Sequence, residues 1–149
     1  MGTLHHVTHI EAAPDRVWAV LSDLVAVQRY NPLVAAAQFV PGAREGVGAS
    51  RQCALKPKGT VKERVTAWEP GRAIAFEVIE SDWPMTRMRW RTEIGSEATG
   101  TKLSQVMEYE MKFGWLGRLL DALIVRRQLD RAIGSVFAGL KRYVESDAV

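Results

Sequence analysis

Cysteine is nearly absent from this chain of 149 residues, in which Cys53 is the only one. A single cysteine excludes an internal disulfide and a cysteine-rich metal site, and such usage favours a reducing compartment. Long hydrophobic runs are also missing. The most apolar segment, WLGRLLDALIV, is interrupted by Arg118 and Asp121 and is far shorter than the roughly 20 apolar residues that cross a bilayer. The N-terminal residues lack the hydrophobic core of a signal peptide. We therefore expect a cytoplasmic protein with no integral membrane association.

Neither sign of charge is in large excess. Twenty Lys and Arg against 17 Asp and Glu give a net charge of +3, and 47% of the residues are hydrophobic. This composition is typical of a globular domain, and the excess is smaller than that of a dedicated nucleic-acid binder. Repeats, low-complexity segments and linkers are absent, so we expect a single domain over residues 1–149.

The N-terminal part of the chain predicts a strand followed by two short helices. Residues 4–11 mix β-branched and polar side chains, as strands do. Pro14 suits a first helical turn, and apolar residues then recur at helical spacing as far as Leu24. The Asn31–Pro32 pair predicts a bend in the second helix, because the residue before a proline is disfavoured in the α region.

The middle of the chain, from Ala36 to Phe113, predicts five or six consecutive antiparallel strands. Short segments of alternating polarity are separated by turns rich in Gly and Pro, and the last two strands, 83–95 and 101–113, are long. After Gly114 the period becomes helical, and one apolar stripe runs along the C-terminal helix: Leu116, Leu119, Leu120, Leu123, Leu129, Ile133, Val136, Phe137, Leu140 and Val144. A sheet and a helix that each have one apolar face bury these faces against each other. The pattern therefore predicts a two-layer α+β domain.

Several segments, in their order along the chain, resemble one known family. They are IEAAPDRVWAVLSDL, RYNPLV, VKERVTAWEPGRAIAFEV and a C-terminal amphipathic helix that ends in LKRYVE. These segments are similar to the START-like (SRPBCC) superfamily, and in particular to its polyketide cyclase/dehydratase-like proteins. The resemblance implies a helix-grip fold, in which a curved antiparallel sheet of six to seven strands wraps around a long C-terminal helix. It also implies a cavity between sheet and helix that holds lipids, sterols, polyketides or similar molecules.

The inner face of the last two strands has an unusual composition for a packed core. Core strands are usually rich in Val, Ile and Leu, whereas Met and Trp mixed with Thr and Gln are typical of a pocket. The alternative is a filled core in which Tyr109 and Gln105 satisfy each other or the backbone. As a group, these residues favour a cavity. The predicted ligand-binding residues are Tyr30, Arg51, Cys53, Phe76, Met88, Trp90, Thr92, Gln105, Met107, Met111, Ile133 and Phe137.

Glu63 is the most distinctive single residue. It alternates with Val61 and Val65, which places a carboxylate on an otherwise apolar strand face and makes it a candidate general acid or base. The alternative is a position at the rim, where Glu63 contacts water or pairs with an arginine. If Glu63 is buried, we expect its partner to be Arg51 of the neighbouring strand, or a carbonyl or hydroxyl of a substrate. In an enzyme, Glu63 is the predicted catalytic base, with Tyr109 or a histidine as hydrogen-bond donor.

The three histidines of the segment LHHVTHI do not predict a metal site. On a strand His5 and His9 share one face and His6 lies on the other, and no motif such as HExxH supplies a further ligand. One of them could line the pocket as a proton carrier. We expect neither a metal nor a cofactor.

Three further features have both a structural and a functional interpretation. The resemblance implies that Tyr30 lies near the cavity entrance, although it could equally cap the bent helix, and we expect Trp83 in a loop beside the same opening. Cys53 suits a small buried apolar position. The alternating arginines of TRMRWRTEI predict a solvated outer sheet face without interleaved aromatic residues, so we expect no binding of nucleic acid.

The sequence leaves three classes of function open. The first is a binding or carrier protein for a hydrophobic small molecule such as a lipid or polyketide. The second is a cyclase or dehydratase that acts in the same cavity. The third is a regulatory or membrane-associated protein that uses the basic outer sheet or the C-terminal helix. A monomer and a homodimer are both compatible with the sequence.

Overall fold

A computed structural model of the protein describes residues 2–83, 85–112, 114–120 and 124–146. Its strands are β1 Gly2–Ile10, β2 Val34–Phe39, β3 Ser50–Leu55, β4 Thr60–Glu69, β5 Ala73–Ser81, β6 Met85–Glu97 and β7 Gly100–Met111. Its helices are α1 Pro14–Ser22, α2 Val27–Tyr30, α3 Gly114–Leu120 and α4 Arg126–Glu145, and a short 3-10 turn, Leu24–Ala26, precedes α2.

The seven strands form one curved antiparallel sheet with the order β1-β7-β6-β5-β4-β3-β2. Strands β2 to β7 are neighbours in chain order, so each pairs antiparallel with the strand that follows it. Strand β1 instead pairs with β7, so the first and last strands of the chain lie side by side at one edge. The predicted helix-grip α+β fold is confirmed, with seven strands and short helices after the first strand.

The two long strands, β6 and β7, are joined by a tight hairpin at residues 97–100. The prediction placed them at residues 83–95 and 101–113, whereas β6 extends to Glu97 and pairs with Gly100 at the start of β7. Gly100 has a φ of +132°, and a Cβ atom there would lie 2.3 Å from the carbonyl oxygen of Ile10. A glycine is therefore required at this tight crossing. Phe113 lies outside the described residues.

Helix α4 covers the concave side of the sheet with an apolar face. Ile133, Phe137, Leu140 and Val144 are buried, at the spacing of one helical stripe. Gly139 of the same face lets the helix approach α2 closely, since a Cβ atom there would lie 2.0 Å from the carbonyl oxygen of Tyr30. Helix α1 adds Val17, Val20 and Leu21 to the same core.

The first part of the predicted C-terminal stripe is not buried. Leu116, Leu119 and Leu120 of α3 are 46%, 49% and 39% exposed, and the neighbouring Trp115 is 70% exposed. The expectation of one continuous buried stripe was therefore wrong for these residues, while Leu123 lies outside the described residues. Helical spacing shows which residues share a face, but it does not show whether another element covers that face.

The convex face of the sheet is solvated and carries pairs of opposite charges. Arg89 lies 3.2 Å from Glu108, and Arg91 lies 2.7 Å from Glu69 on another strand. Similar pairs are Arg64 with Glu77 and Lys62 with Glu80. The arginines of β6 therefore belong to the outer face, as their alternation predicts. No helix among the described residues is both long and apolar enough to cross a membrane.

Candidate ligand-binding cavity

A partly open cavity of about 340 Å³ lies between the concave sheet face and helix α4. The volume is at the lower end of the range that small-molecule sites occupy. All but two of the predicted site residues line it: Tyr30, Arg51, Cys53, Glu63, Phe76, Met88, Trp90, Thr92, Gln105, Met107, Ile133 and Phe137. The unusual inner face of β6 and β7 thus borders a cavity.

Tyr109 and Met111 do not line the cavity. Tyr109 is 1% exposed and lies beside Gly2 of β1, where an added Cβ atom would meet its ring. Met111 pairs with Met85 at the opposite end of the β6–β7 ladder from the Glu97 hairpin. The structure therefore places these two predicted site residues outside the cavity lining. Both residues share a strand face with cavity residues, but the strand extends beyond the cavity.

Several lining residues were not predicted as site residues. They are Leu21, Val27, Asn31, Leu33, Val34, Leu55, Lys56, Pro57, Lys58, Val61, Ile74, Trp83, Leu103, Leu129, Ala132, Val136 and Leu140. Alternation could have found Leu55 and Val61, which share their strand faces with Arg51 and Glu63. The spacing along α4 could have added Leu129 and Val136. No periodicity marks Lys56 or Lys58, because both lie in a turn.

The central polar feature is a buried ion pair between strands β3 and β4. Arg51 and Glu63 face each other in register, and the Arg51 Nε donates a hydrogen bond of 2.7 Å to Glu63 Oε1. The Arg51 Nη1 donates a second bond of 3.0 Å to the carbonyl oxygen of Leu24, and the guanidinium lies 4.4 Å from the ring centre of Phe76. The partner predicted for a buried Glu63 is therefore present.

This environment fixes the charge of Arg51. Burial alone would lower the pKa of the guanidinium, but the Glu63 carboxylate outweighs burial and holds the pKa above its ordinary value. Two neutral groups lie in the same polar region. Burial raises the pKa of the Tyr30 phenol, which Arg51 opposes in part, and burial also raises the pKa of the Cys53 thiol to about 12. Tyr30 and Cys53 are thus uncharged hydrogen-bonding groups near neutral pH.

A second polar pair joins β6 and β7. Thr92 and Gln105 are opposite each other in the ladder, and the Thr92 Oγ1 donates a hydrogen bond of 3.0 Å to Gln105 Oε1. Both residues also line the cavity. The polar side chains of both pairs are therefore held by partners before any ligand arrives, which lowers the entropic cost of using them.

The histidines lie outside the cavity lining. His6 is on the inner face of β1, with its Nε2 3.1 Å from Asp130 and its buried Nδ1 without a hydrogen-bond partner among the described residues. His9 contacts Glu11 and Glu97 at the edge of the sheet. Within the described ranges, no three His, Cys, Asp or Glu side chains come together in a way that could hold a metal ion.

The comparisons with known proteins agree with this architecture. A model of the family described as "Polyketide cyclase / dehydrase and lipid transport" matches residues 1–145. The chain belongs to this family. The resemblance to the START-like superfamily is thereby confirmed. The family description names polyketides and lipids. Among curated proteins, the comparison finds no match.

Solved structures of similar proteins show the same fold for this family member. TTHA0849 from Thermus thermophilus is 23% identical, with a TM-score of 0.80 over 96% of this chain and 97% of that chain. CV1439 from Chromobacterium violaceum is 19% identical, with a TM-score of 0.73 over 97% and 98% of the two chains. Ara h 8.0201 is 13% identical, with a TM-score of 0.75 over 96% and 97%. At these identities the likeness is one of fold.

Proposed function

We propose that this protein binds an apolar small molecule, such as a lipid or a polyketide, in the cavity between the sheet and α4. The observation that carries the proposal is the cavity itself, whose wall is mostly apolar and includes a few polar groups with fixed partners. Sites of this composition bind ligands by burying apolar surface and orient them through a small number of hydrogen bonds. The family description supports the same class of ligand.

The polar groups suggest how such a ligand is oriented. The Arg51–Glu63 pair and the Thr92–Gln105 pair both face the cavity. A ligand carbonyl could accept a hydrogen bond from Arg51, and a ligand hydroxyl could donate one to Glu63. The methionines Met88 and Met107 provide flexible walls, since an unbranched thioether adapts to different shapes.

Filling the cavity tests this proposal. Ala132 lines the cavity, so Ala132→Phe places a ring in the ligand space, whereas Ala138→Phe adds the same ring on an exposed part of α4. Wild type and Ala138→Phe should bind members of a panel of fatty acids, sterols and aromatic polyketides. Ala132→Phe should bind them about tenfold or more weakly. Native mass spectrometry detects the complexes.

Thermal unfolding gives an independent measurement. A ligand present at a hundred times its Kd stabilises the native state by about 2.7 kcal/mol, which for a domain of this size raises Tm by roughly 5–10 °C. The proposal fails if no compound of any apolar class raises Tm, or if the two phenylalanine variants bind alike.

A second candidate function is catalysis of cyclisation or dehydration in the same cavity. It is favoured by one observation, the presence of the Glu63 carboxylate in the cavity wall. Tyr109 lies outside the lining, whereas the Tyr30 phenol lines the cavity and interacts electrostatically with Arg51 and Glu63, so Tyr30 is the candidate hydroxyl donor. Glu63 already accepts a hydrogen bond from Arg51, which favours a binding role over that of a free base.

Turnover assays separate the two functions. An enzyme of this type should lose most of its activity towards a polyketide substrate in the Tyr30→Phe variant, because the phenol supplies the proton. A carrier should bind the same compound unchanged and release it intact. Mass spectrometry of the recovered compound distinguishes the outcomes.

A further inference from the structure

The charges that line the cavity do not balance. The charged residues in the described lining are Arg51, Glu63, Lys56 and Lys58. Arg51 and Glu63 neutralise each other at 2.7 Å. Among the described residues, no carboxylate forms an ion pair with Lys56 or Lys58. Within the described lining, the charge without an ion-pair partner is therefore positive and belongs to these two lysines.

Both lysines lie at the rim of the cavity. They belong to the turn KPKG between β3 and β4, and both are exposed, whereas Arg51 at the other end of β3 is buried. Lys56 is five positions after Arg51 in the sequence, which corresponds to roughly 16 Å along an extended chain. The cavity thus has a cationic rim. Deeper along β3 lies the Arg51–Glu63 ion pair, which carries no net charge.

The turn that carries the lysines is tied to its surroundings on two sides. The Lys56 backbone N–H donates a hydrogen bond of 2.9 Å to the Leu33 carbonyl, and the Thr60 N–H donates one of 2.8 Å to the Asp82 carboxylate. Asp82 lies outside the cavity lining, and its single negative charge beside the turn offsets only part of the two positive charges. These contacts hold the turn in place between two neighbouring loops.

Apolar side chains continue directly from the rim into the cavity. Leu33, Leu55 and Trp83 line the same space as the lysines and come from the three segments that surround the turn. A molecule that occupies the cavity therefore meets ammonium groups at the opening and hydrocarbon inside. This distribution matches an amphiphile with one negative end.

We propose that the ligand is an anionic amphiphile, with a carboxylate or phosphate group at Lys56 and Lys58 and an apolar chain or ring system inside the cavity. This rests on the proposed function and specifies the class of ligand. The lysines are exposed, so each contact is modest and is screened by salt. The two contacts together favour an anionic ligand over a neutral one of equal apolar size.

Matched amphiphiles test the proposal directly. Dodecanoate, dodecyl phosphate, dodecan-1-ol and dodecyltrimethylammonium share one apolar chain and differ in charge. Below their micelle concentrations, calorimetric titration should give the order anion, alcohol, cation from tightest to weakest. A tighter complex with dodecyl phosphate than with dodecanoate identifies a phosphate ligand, and the reverse order identifies a carboxylate.

Charge-matched variants locate the effect. The double variant Lys56→Gln/Lys58→Gln should bind dodecanoate about 5- to 20-fold more weakly, since two exposed ionic contacts are lost, and should bind the alcohol unchanged. The double variant Lys102→Gln/Lys112→Gln removes the same charge from exposed lysines outside the cavity lining and should behave as wild type. The preference for the anion should also shrink as salt increases.

Two results would overturn the proposal, and they are distinguishable. If the alcohol binds as tightly as the anions and the Lys56/Lys58 variant changes nothing, the ligand class is wrong while apolar binding in the cavity stands. If none of the four amphiphiles binds and the wider apolar panel also fails, the proposed function is wrong as well.

Discussion

The two faces of the sheet both carry arginine–carboxylate pairs between strands, but in opposite environments. The side chains of Arg51 and Glu63 on the concave face are 6% and 11% exposed, whereas those of Arg89 and Glu108 on the convex face are 52% and 35% exposed. Water solvates the outer pair whether or not it forms, so the pair contributes little. The inner pair has lost its water and depends on its partners.

This difference bears on why the inner pair exists. Two apolar residues of similar volume would fill the same space at little or no cost in stability, because desolvation of a buried pair often exceeds its Coulombic gain. A buried pair in the wall of a cavity is better explained by the need for a fixed polar contact with a ligand. The comparison therefore predicts that stability and binding respond differently to changes on the two faces.

The largest effect is expected when the inner pair is broken. Glu63→Gln leaves a buried guanidinium without its counter-charge and should lower the free energy of unfolding by about 3–5 kcal/mol. The matched outer variant, Glu108→Gln, should lower it by at most about 1 kcal/mol. Urea unfolding measures both values.

A double variant separates stability from function at this site. Arg51→Met combined with Glu63→Leu should recover most of the lost stability, because neither buried charge remains. It should still bind ligands with polar groups more weakly than wild type. Equal destabilisation by the inner and outer variants would show that the environments of the two pairs do not differ as the structure indicates.

The C-terminal apolar stripe gives a second contrast between inside and outside. Leu140 of α4 is 2% exposed, whereas Leu119 of α3 is 49% exposed. Leu140→Ala should lower the free energy of unfolding by about 2–5 kcal/mol through lost burial and a residual cavity. Leu119→Ala should change it by no more than about 0.5 kcal/mol. Thermal denaturation of the two variants in the same buffer tests the difference, which similar values would contradict.

Some features of the fold and the cavity could be predicted from the sequence, and others could not. Alternation along a strand determines which side chains share a face, so the pairing of Arg51 with Glu63 was predictable from the sequence. Alternation does not determine where a cavity ends, which is why Tyr109 shares a strand face with the cavity residues but is not part of the lining. Coverage by other elements is also invisible locally, as the exposed Leu119 shows. The lysines of the β3–β4 turn lack any period, and only the folded turn places them at the rim.

A smaller effect is expected from replacing the two glycines of α4 by alanine. One replacement should lower the stability and the other should raise it. Gly139 is buried, and an added Cβ atom would meet the Tyr30 carbonyl oxygen at 2.0 Å, whereas at Gly134 nothing lies within 4 Å. Gly139→Ala should therefore cost about 1–3 kcal/mol of stability through overpacking against backbone. Gly134→Ala should add about 0.5–1 kcal/mol, because alanine loses less conformational entropy in a helix. Thermal unfolding measures the stability of both variants. Stability changes of the same sign would contradict the close packing of Gly139 against Tyr30.

The smallest effect is expected at the sheet edge, where His9 of β1 contacts two carboxylates outside the cavity lining. Its Nδ1 lies 2.6 Å from Glu97 and its Nε2 lies 2.6 Å from Glu11. Lys141 of α4 donates a hydrogen bond to the His9 carbonyl and also pairs with Glu145. The hydrogen bonds to Glu97 and then to Glu11 raise the pKa of His9 above its ordinary value of 6.5.

The sign of the pH dependence follows from this shift. Because the folded pKa is raised, charged His9 stabilises the native state fully below pH 6.5, and this contribution is lost as the pH rises through the folded pKa. Wild type should therefore lose slightly more stability than His9→Gln between about pH 5.5 and about pH 8.5. His5→Gln removes an exposed histidine of the same strand and should retain the wild-type dependence. An NMR titration that placed the His9 midpoint below 6.5 would contradict the geometry, because both neighbouring carboxylates favour the imidazolium.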